Sequence, residues 1–126
     1  MKLREEIDPD LQDKEVTRWW NVERNLDRWD KFHYSKENRE MHHVLKRQDM
    51  TLAYLDAMNL GKDAKILELG FGGGQMAKRI LDRGYQYYGI DISSGLADVA
   101  SKRCKEYVKE GRAHFTASSI EKKFNF

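Results

Sequence analysis

The stretch Lys65-Ile66-Leu67-Glu68-Leu69-Gly70-Phe71-Gly72-Gly73-Gly74-Gln75 decides the fold. Its first five residues are mainly apolar and run straight into a glycine cluster, which suits a buried parallel strand. Glycines at that point let the chain turn sharply and bring bare backbone close to a ligand. Gln75 to Arg83 then has helical spacing, with Met76, Ile80 and Leu81 on one side and Gly84 closing it. A helix opening on such a turn offers free N–H groups and a positive end, suited to a carboxylate or phosphate.

Downstream the alternation continues. Tyr85 to Asp91 reads as a second strand, Ser94 as the cap of a helix reaching about Glu110, and Gly111 as its stop. Ala113 to Ala117 reads as a third strand. Strand, helix, strand, helix, strand predicts an α/β fold with parallel pairing and right-handed crossovers. Asp91 ends the second strand about 20 residues after the loop, where a carboxylate can accept from both ribose hydroxyls. Taken together, the strand, the glycine turn and the acid predict a site for an adenosine-type ligand.

The spacing narrows the ligand further. A phosphate-binding P-loop needs Lys and then Ser or Thr after its last glycine, whereas Gln75 and Met76 follow Gly74. The dinucleotide pattern G-x-G-x-x-G fails in both registers, because its third glycine falls on Gln75 or on Ala77. What stands is G-x-G-x-G at Gly70, Gly72 and Gly74, preceded by Glu68.

Ile66 to Gly74, with Tyr88-Gly89-Ile90-Asp91-Ile92-Ser93 after it, resembles the class I, Rossmann-like S-adenosylmethionine-dependent methyltransferases. The resemblance covers roughly Lys62 to Phe126 and implies S-adenosyl-L-methionine as cofactor; it says little about the acceptor, expected to be a small molecule. It implies that Gly70, Phe71, Gly72 and Gly74 border the methionine part and that Glu68 orders the loop near the amino-acid end. Asp91 would bind the ribose diol and Ile92 would pack on the adenine. Many members place an Asp after the third strand; here Ala117-Ser118-Ser119-Ile120 stands instead. Ser119 is the candidate acceptor for the adenine amino group, weaker for being uncharged, with Ile120 as its apolar neighbour.

By the same resemblance the full fold is a seven-stranded sheet of order 3-2-1-4-5-7-6. This chain reaches only the first three strands, order 3-2-1, so the sheet is incomplete relative to the family fold. Acceptor contacts and any catalytic base usually come from later strands, and no residue here is singled out as catalytic. Three explanations stand as expectations: a fragment of a longer methyltransferase, a short protein completing its sheet with a partner such as a second copy, or a cofactor-binding module without chemistry. The outer edge of Ile66 to Leu69 is expected to be covered by another chain or by the N-terminal helices.

Residues 1–61 follow a different grammar and form a separate helical segment ahead of the cofactor-binding half at 62–126. Val16, Trp19, Val22, Leu26 and Trp29 recur at helical intervals, as do Met41, Val44, Leu45, Leu52, Leu55 and Met58. Ser35 is a candidate N-cap between them, and Gly61 the expected C-terminal stop. The aromatics Trp29 to Tyr34 are candidates for a lid over the cofactor, although packing on the sheet is the plainer reading.

Composition sets the outer bounds. Of 126 residues, 40% are hydrophobic and 35% charged, the make-up of a soluble globular domain. The formal net charge of +2 gives no compositional support for nucleic-acid binding. No apolar run has the length of a signal peptide or a membrane span, and Cys104 is the single cysteine, so a cytoplasmic location is expected. Cys104 reads as a small, half-buried helix residue rather than a nucleophile. His42 and His43 point about 100° apart on a helix, so no metal site is expected of them. Lys102, Arg103, Lys105, Lys122 and Lys123 read as solvated charge. A non-catalytic scaffolding subunit is the alternative function, and an NAD(P)-dependent oxidoreductase a weaker one, disfavoured by Gln75.

Overall fold

The computed structural model describes residues 14, 17–19, 21 and 39–121, with side chains from residue 42 onward in the last span. The first predicted helix falls mostly outside these residues, as do Ser35, the Trp29–Tyr34 group and Lys122-Lys123. Seven elements follow in order: α1 (Arg39–Ala57), β1 (Lys65–Leu69), α2 (Gln75–Leu81), β2 (Gln86–Asp91), α3 (Ser94–Arg103), α4 (Lys105–Lys109) and β3 (Ala113–Ala117).

The three strands form one parallel sheet in the order β1-β2-β3, the Rossmann-like arrangement expected from the alternation. Ile66 lies beside Tyr87, and Tyr87 beside Ala113. Alternation puts these residues, with Phe115, on one face. On that face Tyr87, Ala113, Met76, Ala77, Ile80, Leu81, Leu96 and Ala100 make one buried cluster, so α2 and α3 close over the central strand. The ring of Tyr88 points the other way and stacks on His114 at 4.7 Å. Among the described residues β1 pairs with β2 alone, and Leu69 at its end is 54% exposed.

Helix α1 joins this core through Leu52, 1% exposed, with Leu55 packed beside it. The rest of its attachment is polar. Arg79 pairs with Asp49 and donates to Gln48 Oε1 at 3.1 Å, and Arg83 Nε donates to Asp56 Oδ1 at 3.0 Å. Such half-exposed ion pairs contribute at most about 1 kcal/mol each, so Leu52 sets the docking and the charges set its angle. Met58, expected in the apolar stripe, is 62% exposed because the helix has already ended.

Several element ends differ from the sequence expectation. Helix α1 stops on Asn59, not Gly61: Asn59 takes the left-handed conformation (φ 52°) and donates to Asp56 O at 3.3 Å. Asn tolerates that region better than other side-chain-bearing residues, which lets it act as the stop. The cap of α3 is Ser93 rather than Ser94, because Ser93 Oγ lies three residues before the Leu96 N–H and accepts it at 3.1 Å. The long helix predicted to reach Glu110 is two, divided at Cys104, where the backbone leaves helical geometry (φ −104°, ψ 25°). The break redirects the chain so that α4 packs against β3, and Tyr107 O accepts the Arg112 N–H at the turn into that strand.

Cys104 is fully buried rather than half-buried, since it faces the start of α2; its Sγ lies 3.8 Å from Gly74 O. Burial pushes the thiol up to about 11, so it stays protonated near neutral pH, as a packing residue should. Arg103 also departs from the solvated reading, because its guanidinium donates to the Gly73 carbonyl and fastens the glycine loop to α3.

Candidate functional site

The site begins where β1 ends. Gly70 N–H donates to Ile90 O at 2.7 Å, extending the sheet ladder by one bond before the chain turns away. Gly70, Gly72 and Gly74 all have positive φ (75°, 55° and 83°), so the G-x-G-x-G spacing coincides with left-handed positions. Phe71 points inward, 4% exposed, and meets Phe115 edge-to-face at 5.1 Å. That anchor holds the loop against the sheet, with Gly70 exposed and Gly73 and Gly74 buried.

Gly74 has a second constraint. A Cβ placed there would lie 2.8 Å from Ala100 Cβ and 3.0 Å from Ala100 Cα, so the loop and α3 touch backbone to backbone. Gly89, in the middle of β2, is equally tight: a Cβ would meet Phe71 and the Tyr87 hydroxyl at 2.7 Å. Both glycines make room for neighbours that shape the loop.

Asp91 ties the two connecting loops together. One carboxylate oxygen accepts Gly72 N–H at 3.0 Å, and the other accepts Ser93 N–H at 3.1 Å. Each carboxylate oxygen retains a further lone pair, so the acid can fix the loop and still accept from a ligand diol. Sequence reasoning gives Asp91 a ligand-facing role, with a helix cap before Ser93 and Ser94 as the plainer alternative. The fastening of Gly72 is an addition from the structure.

Glu68 sits on the other side of the loop. Its Oε1 accepts the Tyr87 hydroxyl at 2.6 Å. Burial raises the Glu68 pKa above its ordinary value; the Tyr87 hydrogen bond opposes this and the nearby Asp91 charge adds to it. The Tyr87 hydroxyl is in turn held protonated by burial and by the Glu68 carboxylate.

Two cavities meet at Gly70. One, of about 450 Å³, is lined by Leu69, Gly70, Asp91, Ile92, Ser119 and Ile120 among others. Its floor is steadied by Ser118 N–H, which donates to Asp91 O at 2.8 Å, and by Ser119 Oγ, which accepts Glu121 N–H at 3.3 Å. The other, of about 420 Å³, lies between α1 and the loop, lined by Arg47, Gln48, Thr51, Glu68, Gly72 and Gln75 among others. Among the described residues Arg47 is the one cation on its wall and Glu68 the one acid.

The sequence-predicted site residues therefore divide. Asp91, Ile92, Ser119 and Ile120 gather in the first cavity, Glu68, Phe71 and Gly72 in the second, and Gly70 in both. Gly74 lines neither, being buried against Ala100. The α1 wall, Tyr87 and Arg103 have no counterpart in the sequence reading, since each acts through a long-range contact that no periodicity announces. Among the described residues no cluster of three or more His, Cys, Asp or Glu side chains is placed to hold a metal, and no helix is long and apolar enough to cross a membrane.

This arrangement has known relatives. Residues 66–126 match the profile of a family described as "Methyltransferase domain". Among solved structures, magnesium protoporphyrin IX methyltransferase from Synechocystis PCC 6803 with bound SAM aligns with a TM-score of 0.71 and 21% identity. That alignment covers 93% of this chain and 57% of that one. The same enzyme with bound SAH gives 0.68 and 21% identity, over 85% of this chain and 51% of that one. Geranyl diphosphate C-methyltransferase from Streptomyces coelicolor A3(2), in complex with Mg2+, geranyl diphosphate and S-adenosyl-L-homocysteine, gives 0.61 at 19% identity. There the overlap is 88% of this chain and 48% of that chain. No curated protein matches this sequence. The chain thus spans about half the length of these solved structures, and at such identities the likeness speaks for the fold. Strand order and the solved structures agree on the fold: three parallel strands with their helices form part of a Rossmann-like methyltransferase fold, and residues 66–126 match the methyltransferase-domain profile over the same stretch.

Proposed function

We propose that this chain binds S-adenosylmethionine across the Gly70 ridge, as the donor half of a methyltransferase acting on a small-molecule acceptor. The observation that carries the reading is the pair of cavities meeting at Gly70, each with the chemistry of one end of the cofactor. The nucleoside would lie in the cavity of Asp91, with Ile92 and Ile120 against the adenine and Ser119 beside its amino group. The amino-acid end would lie between α1 and the loop. A zwitterion there needs one acid and one cation, and Glu68 and Arg47 are of those signs on opposite walls. Gly70 and Gly72 would border it, while Phe71 and Gly74 hold the loop in shape.

When bound, the cofactor supplies a methyl group already activated on a sulfonium centre. The residues of this chain then bind and orient it, which is the main task in a direct displacement. The sheet edge at β1, paired on one side and exposed at Leu69, is where we expect the remaining strands or a second copy to join. The single, buried, protonated thiol suits a cytoplasmic protein.

The amino-acid subsite is tested by comparing S-adenosylhomocysteine with methylthioadenosine, which lacks that end. Arg47→Ala should weaken the first by about fivefold to tenfold and leave the second unchanged. Glu68 adds a pH signature. Its pKa is raised, a ligand ammonium favours its ionised form, and binding therefore releases a proton. Affinity for S-adenosylhomocysteine should fall as pH drops through the Glu68 range, above the ordinary carboxylate value, and Glu68→Gln should flatten that slope. Equal losses for both ligands in Arg47→Ala would count against the subsite.

A further inference from the structure

Asn21 lies more than seventy residues before the loop after β2 in sequence, yet its side-chain oxygen meets three donors there. Ser93 Oγ reaches it at 3.0 Å, Ser94 Oγ at 3.2 Å and the Gly95 backbone N–H at 3.0 Å. Asn21 is itself exposed, and its own N–H donates to Thr17 O at 3.0 Å, so a helical turn delivers it. With two lone pairs the amide oxygen shares itself among three donors that all belong to the start of α3, so the Asn21 side chain docks on that helix end and nowhere else among the contacts described.

This docking reaches the residue that organises Asp91. Ser93 is fully buried, caps α3 by accepting Leu96 N–H at 3.1 Å, and gives its own N–H to Asp91 Oδ1 at 3.1 Å. Asp91 then holds Gly72 N–H at 3.0 Å. A line of contacts therefore runs from Asn21 through Ser93 and Asp91 to the glycine loop. It crosses Ser93 through that residue's own bonds, from Oγ to backbone N, so a shift at one end displaces the other.

We infer that Asn21 is a positioning residue for the nucleoside subsite, through which docking of the N-terminal segment and cofactor affinity are coupled. This rests on the proposed reading of the Asp91 cavity. Docking of Asn21 fixes Ser93, and Ser93 fixes the Asp91 carboxylate in the rotamer that faces the ligand diol. By linkage the effect is reciprocal: ligand held by Asp91 strengthens the docking of residues 17–21 by the same factor.

The test uses the full chain, with calorimetry of S-adenosylhomocysteine and adenosine, and hydrogen exchange with and without ligand. Asn21→Ala should weaken both ligands by a common factor, about fivefold to tenfold, because the nucleoside is common to both. Asn21→Asp keeps an acceptor oxygen and should restore most of the affinity, which separates positioning from bulk destabilisation. In the unmutated chain, ligand should slow exchange at the amides of residues 17–21, and Asn21→Ala should erase that protection. Unchanged affinity in Asn21→Ala, with tight binding by the unmutated chain, overturns the inference and leaves the site reading intact. An unmutated chain that binds neither ligand overturns both.

Discussion

Asp91→Ala should reduce affinity for S-adenosylhomocysteine and for adenosine by about two orders of magnitude, the largest binding effect expected from any single substitution here. Two losses combine. The ligand loses the acceptor proposed for its ribose hydroxyls, and the protein loses the acceptor of Gly72 and Ser93 N–H at 3.0 and 3.1 Å. Hydrogen bonds to a charged group contribute about 1.5–3 kcal/mol each, so either loss alone is worth roughly tenfold or more. Asp91→Asn should fall between the two, since its amide keeps one oxygen but turns an NH2 toward the other backbone N–H. Calorimetry with both ligands measures this. An alanine variant that binds adenosine within about threefold of the unmutated chain would remove Asp91 from the site.

The largest stability effect is expected at Gly74. Gly74→Ala should cost about 2–5 kcal/mol, the sum of left-handed strain and of overpacking against Ala100. The strain follows from φ 83°, and the clash from distances of 2.8 Å to Ala100 Cβ and 3.0 Å to Ala100 Cα. A backbone atom cannot swing aside as a side-chain tip can, so α3 itself has to move, and with it Arg103, which holds Gly73. Gly70→Ala is the control. Its φ of 75° carries the same kind of strain, but nothing lies within 4 Å of the added Cβ, so only about 1–2 kcal/mol is expected. Urea unfolding of the two variants separates the contributions. Equal losses would mean that the contact with Ala100 is not a constraint.

Much of this was readable from the chain alone, for physical reasons that differ from place to place. The strands at Lys65–Leu69 and Ala113–Ala117 fall where short runs meet turn residues, although both lie at the edges of the described sheet and stay partly exposed. The glycine loop was legible because three positive φ values leave few residues to choose from. Helix ends were less so. Ser93 and Ser94 are adjacent and look alike as caps, Asn59 ends its helix two residues before the expected Gly61, and no turn residue marks the break at Cys104. The least legible features were contacts across the fold. Tyr87 on Glu68, Arg103 on Gly73 and Asn21 on Ser93 join residues from 19 to 72 positions apart, and only the folded geometry brings them together.

The central claim is that the ridge at Gly70 divides a nucleoside cavity from an amino-acid cavity, and that one ligand spans both. Isothermal titration of the full chain with S-adenosylhomocysteine, and in parallel with NADH, tests it most directly. The site described here predicts saturable binding of S-adenosylhomocysteine at one site per chain and none of NADH, whose diphosphate meets neither a third loop glycine nor a P-loop lysine. Binding of NADH in place of S-adenosylhomocysteine, or of neither, would contradict it.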